Sequence, residues 1–310
     1  MAFTRENTSA NLAQEVSTYY EKVFLKRAEY ELINKEGGQV RTLPSNQGKS
    51  VNFTRYVPLT VNIASGTITE SSNPLLCSIT ASTVTATLAE YGLTVQTTKF
   101  LTLVGIDNNM AEKVSLVGQH MGEFLNKLVS TELDNGTATF ANGKNTSTYA
   151  ASDTFSASMI RGITRTLELN KARAYPDGMF IGKANPQSKY QLLGDTTWIN
   201  AKTYSDVKDL YNGEMGELYQ VRWLLNKDHT SSTGAASEAS VVAAFHTYIH
   251  GTDAFGVYDL QGDKPKLYIL PNLVDSGSPA GRISKISWAG AYVTKILNSE
   301  WVLVCKTPTS

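Results

Sequence analysis

Between Asp107 and Asn135 the apolar residues Met110, Val114, Val117, Met121, Phe124 and Leu128 recur at steps of four, three, four, three and four. That rhythm predicts one apolar stripe along a helix. Asp107 suits an N-cap, and Asn135-Gly136 suits a C-terminal stop. At 1.5 Å per residue such a rod is roughly 40 Å long, well beyond a mean helix of about 11–12 residues. A coiled coil would need the heptad to continue, and Gly136 ends it. A single long helix in an otherwise strand-rich chain is expected to act as a beam across a flat or extended protein.

The pattern on either side of this stretch is different. Residues 10–33 predict a first helix, with Leu12, Val16, Tyr19, Tyr20, Val23, Phe24 and Ala28 on one face and Gly37-Gly38 after it. The small polar residues before Asn11 predict a flexible arm. Val51, Phe53, Arg55 and Val57 alternate with polar neighbours up to Pro58, which predicts a strand. A second strand is expected from Ile79 through Thr97, with a change of parity and a bulge beside Gly92. The polar stretch between them makes the pair a long open hairpin, marginal in water unless it rests on something.

After the long helix, Ser156 or Ser158 opens another apolar-periodic segment. Tyr175-Pro176-Asp177-Gly178 reads as a turn, Met179–Gly182 as a buried strand, and Pro186–Leu193 as a short helix. Gly213–Leu218 predicts a turn into a strand Tyr219–Leu225, and Val241–Ile249 a further strand. Residues 283–306 predict a closing strand pair. Helices and strands mix without a βαβ rhythm, which predicts the α+β class.

Composition narrows the functional classes. The 28 basic and 28 acidic residues cancel, so no global field gathers nucleic acid. No run approaches 18 apolar residues, so no membrane-spanning segment is expected. The first residues carry no apolar h-region, so no secretory signal is expected either. Two cysteines, Cys77 and Cys305, lie too far apart in sequence to suggest a metal-binding or redox motif.

Chemistry-bearing motifs are missing. The chain has no G-x-S-x-G elbow, no phosphate-binding G-x-x-x-x-G-K-[ST] loop and no G-x-G-x-x-G after a strand. His120 and Glu123 share a helix face with no second ligand at metal spacing. His246 and His250 would share one strand face, but a metal site there needs carboxylates from elsewhere. Glu214 and Glu217 could form a carboxylate pair, yet nothing else supports glycosidase chemistry. No catalytic residue, cofactor or metal is expected, and the balance moves to a structural role.

The order of elements carries the strongest signal: an arm, a long hairpin, a very long helix, a mixed domain and strands that return at the C-terminus. Several stretches reinforce it, among them Tyr20–Ala28, Gly48–Leu59, Thr85–Gly92, Asn212–Gly216, Ala254–Val257 and Trp288–Asn298. In this order they resemble the Hong Kong 97-type major capsid proteins of tailed bacteriophages, over nearly the whole chain.

The resemblance implies a non-catalytic shell protein. Residues 1–35 would be the N-terminal arm, and 36–100 mainly the extended loop that lies over an adjacent subunit. Residues 101–174 and 283–310 would form the peripheral domain, with 107–135 as its spine helix. Residues 175–282 would be the axial domain. Candidate subunit contacts are Lys49, Phe53, Arg55, Tyr56, Ile68, Glu70 and Leu75. The implied partners are further copies in hexamers and pentamers, a portal, scaffolding or decoration proteins, and double-stranded genomic DNA enclosed without sequence-specific binding. The implied location is the virion, after assembly in the bacterial cytoplasm. An encapsulin-like cellular compartment shell of the same fold is the alternative. Near-zero net charge suits either, because many copies pack without strong mutual repulsion.

Overall fold

Ile283–Ile296 is a fourteen-residue strand with alternating burial, and one of the two main sheets is built along both of its edges. The computed structural model describes residues 20–28, 32–44, 48–56, 78–104, 109–140, 153–199, 215–227, 231–232, 244–270 and 280–308. In chain order the first elements are α1 (residues 20–28), β1 (Gln39–Leu43), β2 (Ser50–Tyr56), β3 (Ala81–Thr87) and β4 (Ala89–Thr98). Then come α2 (Lys99–Val104), α3 (Asn109–Leu133), β5 (Thr137–Phe140), α4 (Ala157–Leu169), β6 (Phe180–Ala184) and α5 (Pro186–Leu193). The rest are β7 (Glu217–Leu218), β8 (Val221–Leu225), β9 (Ser231–Ser232), β10 (Ala244–His250), β11 (Phe255–Leu260), β12 (Lys266–Leu270), β13 (Ile283–Ile296) and β14 (Val302–Pro308).

The long helix forms as its periodicity requires, although its buried stripe drifts. Val114, Val117 and Met121 are buried as expected, but Leu125, Val129 and Leu133 carry the stripe to the C-terminus, with Phe124 and Leu128 flanking it. A straight helix has 3.6 residues per turn, so a stripe stepped as a heptad wanders round it. Asp107 lies outside the described residues.

The helix is sandwiched. On one side it meets Ile286, Trp288, Tyr292 and Ile296 of β13, and in the same core Tyr248, Val302 and Val304 of the second sheet. That seven-stranded sheet has the order β5-β14-β10-β6-β8-β7, with β9 on β10. Alternation along β10 and β14 sends Ile249, Leu303 and Cys305 to the other face, where Ile160, Ile163 and Leu167 of α4 and Leu192 of α5 cover them. Pro186 sits in the first turn of α5, and the Asn185 side chain accepts the Ser188 N–H at 2.7 Å.

Several sequence expectations are corrected here. The strand expected from Ile79 to Thr97 is two strands. The break falls at Leu88, and pairing runs through Gly92 opposite Ala289 without a bulge. β3 pairs with β2, whereas β4 pairs with β13 over ten residues, so the two halves answer to different partners. The closing strands are not a pair either: β13 lies in the five-stranded sheet and β14 in the seven-stranded one, joined through the 3₁₀ turn Ser299–Trp301. The strand expected to begin at Tyr219 begins at Val221, because Tyr219 and Gln220 take positive φ (49° and 61°) in the turn between β7 and β8. The first helix is described over residues 20–28 and has ended by Leu32; residues 1–19 lie outside the described residues.

The sheets join strands from several of the expected ranges. β11 and β12, inside 175–282, hydrogen-bond to β13. β1, inside 36–100, pairs in parallel with β11. β14, inside 283–310, pairs with β10 and β5.

Candidate assembly surfaces

Two surfaces stand apart from the packed layers: a strand ribbon and a short apolar helix. β2 and β3 form a two-stranded antiparallel ribbon from Ser50↔Thr87 to Tyr56↔Ala81. One face carries Phe53, Val84 and Ala86, which pack on Tyr258, Val293 and Leu297 of the five-stranded sheet. The Phe53 and Tyr258 rings meet edge-on with centroids 4.5 Å apart. The opposite face is polar and exposed, and there Thr85 donates to Asn52 Oδ1 at 2.8 Å. The Leu88 N–H donates to the Lys49 carbonyl at 2.8 Å and extends the ribbon at its root.

The residues expected at subunit contacts therefore occupy different places. Lys49 is exposed at the ribbon's root. Phe53 is 9% exposed and packs within its own chain. Arg55 and Tyr56 stand at the ribbon's far end, opposite Ser82 and Ala81. Ile68, Glu70 and Leu75 lie outside the described residues.

The second surface was not singled out from the sequence. α2 exposes Phe100, Leu101, Leu103 and Val104. The signal was present as a Phe-Leu-x-Leu-Val run, but six residues are too few for a periodicity to stand out.

A buried polar node ties the turn after α1 to α3 and β6. Asn34, in the turn between α1 and β1, receives nothing from water, being fully buried. Its N–H donates to Asn126 Oδ1 at 2.7 Å, and its side-chain amide donates to the Asn126 carbonyl at 3.2 Å and to Ser130 Oγ. The Lys183 ammonium of β6 donates to the Asn34 carbonyl and lies 4.6 Å from the centre of the Phe255 ring. Burial pushes Lys183 down to about 7, against the pull of Glu36. Beside it, burial and the charge of Lys183 hold His250 well below its ordinary range. Tyr175 donates its hydroxyl to the Gly37 carbonyl at 2.6 Å and meets His250 Nδ1 at 3.2 Å.

The chemistry searched for in the sequence is used structurally. His246 Nδ1 lies 2.6 Å from Asp134 Oδ1, which also accepts the Tyr248 hydroxyl at 2.7 Å. A carboxylate thus reaches His246, but no group of three metal-ligating side chains forms among the described residues. Cys305 is buried, and burial raises its thiol far above the reactive range. Glu217 is exposed, and Glu214 lies outside the described residues. A cleft at the start of α4 is lined by Phe155, Tyr190, Gln191 and Asp195. Its polar groups act as caps: Asp195 Oδ2 accepts the Ala157 N–H at 2.8 Å, and Gln191 Oε1 accepts the Phe155 N–H at 2.8 Å. No helix among the described residues is long and apolar enough to cross a membrane.

Comparison with known proteins places the fold. No family model matches the sequence, and no curated protein matches it. Solved structures do match over nearly the whole chain. The capsid of Ralstonia phage GP4 is 12% identical, with a TM-score of 0.68 over 91% of this chain and 90% of that one. The capsid asymmetric unit of cyanophage Pam1 is 15% identical, with a TM-score of 0.65 over 92% and 93%. The virus-like particle from Pyrococcus furiosus is 13% identical, with a TM-score of 0.53 over 94% and 99%. The chain has the Hong Kong 97-type capsid fold, in the α+β class expected from the sequence.

Proposed function

We propose that this chain is the major capsid protein of a tailed bacteriophage, a non-catalytic subunit that self-assembles into an icosahedral shell around double-stranded DNA. The observation that carries the reading is the fold match to phage capsid subunits over about nine-tenths of both chains. The ribbon supports it, because one face is rooted on its own sheet while the other is polar and exposed, a surface on which a neighbouring copy can lie. In this reading the ribbon and residues 57–77 form the extended loop. Lys49, Arg55, Tyr56, Ile68, Glu70 and Leu75 contact the adjacent copy, and Phe53 roots the ribbon in its own subunit. Residues 1–35 form the arm. α3 is the spine of the peripheral domain, and the β6–β10 part of the seven-stranded sheet belongs to the axial domain.

Each contact can be modest because every subunit makes many, and linked contacts raise the effective concentration of one another. Hexamers and pentamers of the chain, a portal and scaffolding or decoration proteins complete the assembly, which ends as the virion in the bacterial cytoplasm. The enclosed DNA is held without sequence-specific contacts, in keeping with a net charge of +0. A compartment shell that holds protein cargo is the second reading, and the likeness to a virus-like particle keeps it in view. Electron microscopy of the purified chain tests both. Closed shells or curved sheets are expected; a uniform monomer of 33.8 kDa under all assembly conditions refutes both. DNA inside shells purified from infected cells supports the phage reading, and packaged protein supports the compartment.

A further inference from the structure

The helix α2 leaves its apolar residues exposed on an isolated subunit. Phe100, Leu101, Leu103 and Val104 are 67%, 50%, 74% and 62% exposed. At 100° per residue, positions 100, 101, 103 and 104 share one side of the helix, and positions 99 and 102 the other. A surface helix normally turns such a stripe to the core, so here the apolar side has been left for something else. We propose that α2 packs against α2 of a neighbouring copy, at a rotational contact between subunits of the shell. This rests on the shell reading above.

Three observations select this occupant. The first is area. The four side chains expose on the order of 400 Å², whereas a stable two-protein interface needs about 800 Å² per partner. The patch alone cannot hold a freely diffusing partner. It can hold one that is also fixed by other contacts, which is the situation of a second copy in a lattice. The second is complementarity. Among the described residues no other stretch of six puts more than two exposed large apolar side chains together; the nearest is Tyr268 with Leu270. Among the described residues the best mate for the α2 patch is therefore the same patch, and a rotation axis brings identical patches together. The third is charge. A lipid-binding helix carries Lys and Arg around its apolar side, and α2 carries Lys99 alone.

Single cysteines test the contact directly. In a Cys77→Ser background, with Cys305 buried, each of Phe100→Cys, Leu101→Cys, Leu103→Cys and Val104→Cys is assembled and then oxidised. Disulfide-linked dimers are expected from at least one position in shells and from none in unassembled protein. Leu103→Asp should cut shell yield at least tenfold while the monomer keeps its circular dichroism spectrum and melting temperature. Shells that form normally with no cross-link at any of the four positions overturn this inference and leave the shell reading intact. Binding of the monomer to anionic phosphatidylserine vesicles that Leu103→Asp abolishes, without cross-links in shells, assigns the patch to lipid and also overturns it. Failure of the wild-type chain to form any shell overturns the shell reading and this inference together.

Discussion

Lys183 is a cation placed where water does not reach, facing the Asn34 carbonyl, the Phe255 ring, His250 and, farther out, Glu36. Its folded pKa of about 7 lies below its ordinary 10.5, so between those values the unfolded chain binds more protons than the folded one. Stability is therefore gained as pH rises from about 7 towards 10.5 and lost as pH falls back through 7. His250 adds the same sign lower down, since its contribution is present above 6.5 and is lost on acidification. In Lys183→Met the rise in stability between pH 7 and pH 10 should be smaller than in wild type by up to a few kcal/mol. Chemical denaturation at a series of pH values reads it, and parallel curves for the two proteins would show that Lys183 does not titrate in this window.

Gly118 is a residue-scale requirement of another kind. A Cβ there would lie 2.7 Å from the Phe24 carbonyl, so α1 can rest on α3 only where the side chain is missing. Gly118→Ala should destabilise the protein by about 1–3 kcal/mol through overpacking, although alanine's helix propensity pulls the other way by about 1 kcal/mol. Thermal melting gives the net sign, and a stabilised variant would mean that α1 lifts off α3 at little cost.

At the scale of elements, α3 shows what a local pattern can and cannot say. The helix was legible because its period repeats over seven turns, and its C-terminal stop because Gly136 packs with no Cβ against Val302. The buried side of its second half was not legible, since Leu125 and Val129 face the core only through the placement of β13 and β14. Met121 is 3% exposed and Leu116 61% exposed on the same helix. Met121→Asp should unfold the chain or cost more than about 4 kcal/mol by burying an unpaired charge, whereas Leu116→Asp should stay within about 0.5 kcal/mol. Urea denaturation of the two variants checks the contrast. Equal effects would mean that the stripe is not the helix's packed side. The break at Leu88 was illegible for a related reason. Nothing in residues 79–97 says that the first half belongs to β2 and the second to β13. Gly92 was read as a bulge, but its lack of a Cβ is needed because the Trp288 carbonyl would lie 2.7 Å away.

For the molecule as a whole, the layers leave the polar face of the ribbon and the apolar residues of α2 exposed, and both belong to assembly in the proposed reading. Deleting Ala64–Leu76, which lies in the stretch between β2 and β3, should give a chain that folds with an unchanged circular dichroism spectrum but forms few stable shells. Wild-type shell yield from that variant, measured by sedimentation, would refute the loop's part in assembly.

The sequence by itself determined whatever repeats within a short window: the long amphipathic helix, the alternation in β2, the capped start of α5 and the absence of catalytic motifs. The tertiary structure alone decided which strands share a sheet, why Phe53 turns inward, where the α3 stripe ends and that α2 faces outward. The physical reason is distance along the chain. Gln39–Leu43 pairs with Phe255–Leu260, and Asn34 is held by Asn126 and Lys183. Contacts of that separation leave no periodicity in either segment, because each partner's pattern is compatible with many mates until packing selects one.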